Sequence, residues 1–180
     1  MSGTRVRSAR GGFTLIEVAV ATIIVGVGLA ALMVSVESST RVNDVGGRLA
    51  QGTFLAQEIR EWTLALPFST PNPLHVGNPP GPDGIDPHVF VDDLDDLMGV
   101  TFKPPQNGNK FTKEGIEEPE HVMTALPDWS QTITMAWRDP NNVAAPAPGG
   151  PGTSDVIYVH VDVAYRDRTV YSTNWLVTRK

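Results

Sequence analysis

The chain has 180 residues, with 14 Lys or Arg, 20 Asp or Glu, no cysteine and a formal net charge of −6 at pH 7. That length bounds it to one modest domain plus an appendage, and the missing cysteine excludes a disulfide framework, a thiol nucleophile and cysteine-ligated zinc. Setting aside the three arginines of residues 1–12 leaves a net of −9, so phosphate neutralisation is excluded as a general role and no nucleic-acid partner is expected.

The first feature in chain order is that basic stretch: Arg5, Arg7 and Arg10 with no acid beside them. Next comes "FTLIEVAVATIIVGVGLAALMVSV", Phe13 to Val36, whose only charge is Glu17. As a helix it would span about 36 Å, enough for a hydrocarbon core of about 30 Å. Arginines before it and an acidic remainder after it keep the amino terminus cytoplasmic and put everything beyond Ser38 outside. The competing reading is a secretory signal peptide. Such peptides have an apolar region of about 7–15 residues and a small-residue cleavage site, and "VSVESS" at Val34–Ser39 matches that site poorly. A retained membrane helix is therefore expected, and within it an ionised Glu17 costs about 3 kcal/mol on insertion scales.

The helix is expected to continue. Val42, Val45, Leu49, Gly52, Ala56, Ile59, Thr63 and Leu66 recur at alternating spacings of three and four, one face of an amphipathic helix. Arg41, Asp44, Arg48, Gln51, Glu58 and Glu61 lie off that stripe, and Pro67 ends it. Local bending or melting is expected at Gly46-Gly47.

From Pro67 to Asn109 the sequence is turn chemistry, "STPNPLHVGNPPGPDGIDPHVF", followed by "VDDLDDLMG". The last third alternates with period two. Ile133, Met135 and Trp137 share one face of a strand over Trp129–Trp137. A proline, glycine and alanine loop, Asp139–Ser154, leads to Val156–Arg166, with Ile157, Val159, Val161, Val163 and Tyr165 on one face. A turn at Asp167-Arg168 and a strand over Val170–Val177 follow, with Tyr171, Trp175 and Val177 on one side. Three such runs in series predict an antiparallel meander packed on the amphipathic helix, an α+β fold.

"RGGFTLIEV" at Arg10–Val18 resembles the processing site of type IV pilin-like proteins, and the order of long helix, loop-rich middle and terminal meander is similar to theirs. The resemblance implies that a membrane-embedded prepilin peptidase cuts between Gly12 and Phe13 and methylates the new Phe13 amine. It implies that Glu17, fifth in the mature chain, meets the Phe13 ammonium of a neighbouring subunit. Four parts follow: a cleaved leader over residues 1–12, a membrane or filament-core helix over 13–36, its amphipathic continuation over 37–66, and an extracytoplasmic head over 67–180. Other pilins or pseudopilins and the inner membrane are the implied partners. No proline interrupts Phe13–Leu66, unlike many major pilins. "EVAVATIIVGVGLAALM", "LAQEIREW" and the short meander look like minor pilins of the PilV type or type II secretion pseudopilins of the GspI type. Alone, Glu17 could instead snorkel or take up a proton.

Other chemistry is thinner. Asp92, Asp93, Asp95 and Asp96 are calcium candidates, joined by Asp83 and Asp86, but their spacing is not that of an EF-hand and a solvated acidic loop is expected. His75, His88, His121 and His160 form no zinc pattern, and His160 is expected on an exposed strand face. No nucleophile elbow or phosphate loop appears, so no enzyme and no cofactor is expected. Trp129, Trp137 and Trp175 read as core or interface aromatics. The alternative to a filament subunit is a membrane-tethered extracytoplasmic binding module, an adhesin using its loops and tryptophans.

Overall fold

A computed structural model describes residues 12, 14–68, 81, 86–88, 91, 93–108 and 122–179. The leader arginines, Phe13, Asp83, Asp92, His75 and His121 lie outside the described residues. The elements are a helix α1 (Leu15–Ala65), a 3-10 turn (Asp95–Leu97), and strands β1 (Thr101–Phe102), β2 (Trp129–Asp139), β3 (Asn142–Pro146), β4 (Val156–Tyr165) and β5 (Arg168–Thr178). This is the expected α+β layout, one long N-terminal helix followed by an antiparallel sheet.

The chain forms two compact units, Met1–Val45 and Gly46–Lys180. In the first, helical residues 15–45 are exposed throughout, including Leu15 at 89% and Met33 at 76%. This is apolar surface far beyond what a water-soluble monomer leaves uncovered. α1 is helical through Gly46-Gly47, where melting was expected. The glycine penalty, about 1 kcal/mol each, is too small to break a helix that its neighbouring turns continue.

In the second unit α1 buries Gly52, Leu55, Ala56, Ile59, Trp62 and Thr63. The expected stripe holds from Gly52 onward, while Val42, Val45 and Leu49 are exposed. It was drawn too narrow: Leu55 and Trp62 also face inward, because a helix on a sheet buries an arc of 100° or so rather than a single line. Gly52 packs closely under β5, where a Cβ would lie 3.0 Å from the Tyr171 Cβ and would have to push it aside.

The sheet runs β1-β2-β4-β5, with β3 pairing the far end of β2, all antiparallel. Ile133, Met135 and Trp137 of β2 and Ile157, Val159, Val161 and Val163 of β4 are buried, as their alternation predicts. Tyr171, Trp175 and Val177 of β5 pack against the same core. Two polar side chains inside it, among the described residues, find partners across elements. The Trp175 Nε1–H donates to Thr63 Oγ1 at 3.1 Å, and buried Gln131 donates to the Leu55 carbonyl at 2.9 Å.

Two boundaries differ from expectation. The span Asp139–Ser154 is not all loop, because Asn142–Pro146 folds back on β2 as β3. The hairpin turn is Arg166-Asp167, one residue early, with φ of 49° and 61°. Two positive φ values make the type I′ geometry that suits strand twist. Arg166 is held there by its Nε–H to Asp128 Oδ2 at 3.0 Å and by its guanidinium over the Tyr165 ring.

Candidate functional site at the start of the apolar helix

Gly12 is exposed, with nothing within 4 Å of where a Cβ would stand. An uncrowded residue without a side chain lets an extended backbone enter a protease cleft. Thr14 precedes the first helical residue and Glu17 lies in the first turn. The Glu17 N–H donates to Thr14 Oγ1 at 3.3 Å, and the Thr14 N–H donates back to Glu17 Oε2 at 3.4 Å. This reciprocal pair is a capping box, and the Glu17 N–H also reaches the Thr14 carbonyl at 3.0 Å. A carboxylate in the first turn also meets the positive end of the helix dipole. The T-x-x-E spacing of Thr14 and Glu17 is the signal in the sequence for this cap. Among the described residues, Glu17 Oε1 has no bonding partner.

The acidic stretch is not the solvated loop expected. Val91, Leu94 and Leu97 are fully buried, and they draw Asp93 and Asp96 under the surface at 4% exposure. The carboxylates are spent on neighbouring backbone. Asp93 Oδ1 accepts from the N–H groups of Asp95 and Asp96, and Asp95 Oδ2 accepts from the Gly81 N–H at 3.0 Å. Burial and a hydrogen bond shared with Asp93 push the Asp95 carboxyl up to about 7. Among the described residues no three His, Asp or Glu side chains converge as a metal set. Beside this turn His88 bridges the Thr101 carbonyl at 2.9 Å and Asp86 at 2.7 Å, and both contacts raise its pKa. His160, expected exposed, is half-buried between Tyr158 and Asp162.

Residues 7–33 match the family model of the prokaryotic N-terminal methylation motif. Comparison with curated proteins and with solved structures gave no match. The motif points to a structural subunit rather than an enzyme, and to processing by a prepilin peptidase followed by assembly with other pilins. Its position at the head of a helix long and apolar enough to cross a membrane fits anchoring there before incorporation in a filament. Motif, helix and antiparallel sheet together support a type IV pilin-like protein.

Proposed function

We propose that the chain is a minor pilin or pseudopilin, cut between Gly12 and Phe13, methylated on the Phe13 amine and placed at the start or tip of a filament. Before assembly, residues 13–36 cross the inner membrane with the amino terminus cytoplasmic and the head outside. The observation that carries this reading is the coincidence of the methylation motif with the first turn of a helix whose exposed apolar part, up to Val36, has Glu17 as its single acid.

The capping box refines the part that Glu17 plays. Its Oε2 serves its own helix start, while Oε1 is open among the described residues. A carboxylate has roughly four lone-pair sites, so it can keep the cap and still accept a neighbour's ammonium. In low dielectric that pairing offsets the cost of an isolated charge. Glu17→Gln separates the two roles, because glutamine also completes a capping box. The variant is expected to insert and be processed like the natural chain, yet to enter filaments as poorly as Glu17→Ala. Assembly of Glu17→Gln at the natural level, measured by sheared-filament yield, would show that the charge pair is not what drives incorporation.

A further inference from the structure

The sheet face opposite the buried one carries a separate constellation, independent of the assembly reading. β4 presents Tyr158, His160 and Asp162 there. The register sets Ala136 and Leu176 beside Tyr158, and Thr134 and Asn174 beside His160. Ala136 is the smallest side chain of that block. Above it lies a depression of ≈330 Å³ walled by Thr134, Arg138, Tyr158 and His160.

The polar groups around the depression are underused. Arg138 lays its guanidinium over the Tyr158 ring, with Cζ 4.9 Å from the centroid. Its one side-chain hydrogen bond among the described residues is a long one, Nη1 to the Ala144 carbonyl at 3.5 Å, and its Nε–H is shut from solvent with no acceptor. On the other side of Tyr158 the His160 ring lies within 4° of parallel to it. His160 Nε2 faces Asp162 Oδ2 at 3.3 Å, and Asp162 in turn accepts from the Ser172 hydroxyl. The other ring nitrogen, Nδ1, is buried without a partner. Folded proteins leave few buried polar atoms unpaired, and each one calls for an explanation. Two beside one depression, in a chain whose 20 acids outnumber its 14 bases, leave a guanidinium that no carboxylate among the described residues has taken.

We propose that this depression docks a carboxylate side chain from a partner protein. A guanidinium is a planar fork that matches a carboxylate with two parallel hydrogen bonds, and stacking on Tyr158 orients it in advance. The long bond to Ala144 is a light tether, so the fork can turn its Nε–H edge toward an incoming acid. Thr134 offers a hydroxyl, and its present bond, to the His160 carbonyl, is also long at 3.5 Å. The Tyr158 ring and the Ala136 methyl give apolar surface for the aliphatic stem of an aspartate or glutamate. Tyrosine and arginine are among the residues enriched at interface hot spots. Phosphate is disfavoured, because among the described residues Arg138 is the one cation lining the depression and Asp162 lies beside His160.

The test uses the full chain in detergent micelles, isotope-labelled for NMR, with propionate as the probe and propionamide and inorganic phosphate as comparators at constant ionic strength. Propionate is expected to give saturable shifts of the Arg138 Nε–H and the His160 ring, and propionamide none. Followed on His160, Arg138→Gln weakens binding about tenfold and Arg138→Lys less. Ala136→Leu fills the floor and abolishes binding with the charge intact, while Arg168→Gln, at the end of β5 paired with Tyr165 and away from Tyr158, leaves it unchanged. Tryptophan melting curves check that each variant is folded. Equal binding of propionamide, or phosphate binding as tightly as propionate, overturns the carboxylate assignment. The absence of any saturable shift, or binding unaffected by Ala136→Leu, overturns the site.

Discussion

Gln131→Met tests how the second unit is tied together. Gln131 is fully buried on β2, where its Nε2–H reaches the Leu55 carbonyl of α1 at 2.9 Å and its Oε1 accepts the Gln106 N–H at 2.8 Å. One side chain thus joins helix, sheet and the segment after β1. Methionine has a similar volume and removes both bonds. The Leu55 carbonyl keeps its intrahelical partner four residues on, so its loss is small. The Gln106 N–H is buried and has no such reserve, and an orphaned buried donor costs about 1–3 kcal/mol. Apolar burial of the methionine returns roughly 1 kcal/mol, which leaves a net loss of about 2 kcal/mol including the bond to the helix. A loss of that size lowers the melting temperature by roughly 6–12 °C for a head of this length. All four tryptophans, Trp62, Trp129, Trp137 and Trp175, lie in the Gly46–Lys180 unit, so their fluorescence reports its unfolding. A melting temperature within about 2 °C of the natural chain would refute the idea that Gln131 is a structural tie.

Asp95 makes stability depend on pH in an unusual direction. Its carboxyl, ordinarily near 3.8, is pushed up to about 7 in the fold, so the folded state holds the proton more tightly than the unfolded one and stability falls as pH rises between those values. Because the group is half-exposed, screening cuts the full effect to roughly 2 kcal/mol. Asp95→Asn, which imitates the protonated acid, is expected to be the more stable form at pH 8 and about equal at pH 4; urea midpoints that show no pH-dependent difference would contradict this. Thr14→Val removes the hydroxyl half of the capping box and should loosen the first turn by about 1 kcal/mol. Amide exchange at Glu17 and Val18 is the readout, and unchanged protection would mean the box contributes nothing to the helix start.

What the sequence made legible follows the range of the forces involved. The methylation motif is legible because Gly12, Phe13, Thr14 and Glu17 are near neighbours in sequence and the motif consists of their spacing. The inward residues of β2, β4 and β5 could be read because a half-buried strand writes its burial as period two. The acidic stretch misled because a count of charges ignores the anchors: Leu94 and Leu97 sink, and the aspartates between them go down with their own backbone as partners. β3 was hidden because Val143, Ala144 and Ala145 carry little alternation and their pairing depends on β2. Gln131 could not be recognised at all, since its partner Leu55 is 76 residues away. The grouping of Arg138 and His160 around Ala136 depends on strand register, which single-strand patterning does not encode. Within α1, the apolar stripe could not say where the head begins to cover it.

The central claim is that Gly12-Phe13 is a processed junction and Phe13 the functional amino terminus. The most direct measurement is mass spectrometry of the mature chain from cells with and without a prepilin peptidase. With the peptidase, the account predicts a chain that starts at Phe13 and carries one added methyl group on its amine; without it, the chain keeps residues 1–12. An amino terminus at any other residue, or one at Phe13 that forms equally well without the peptidase, would contradict it.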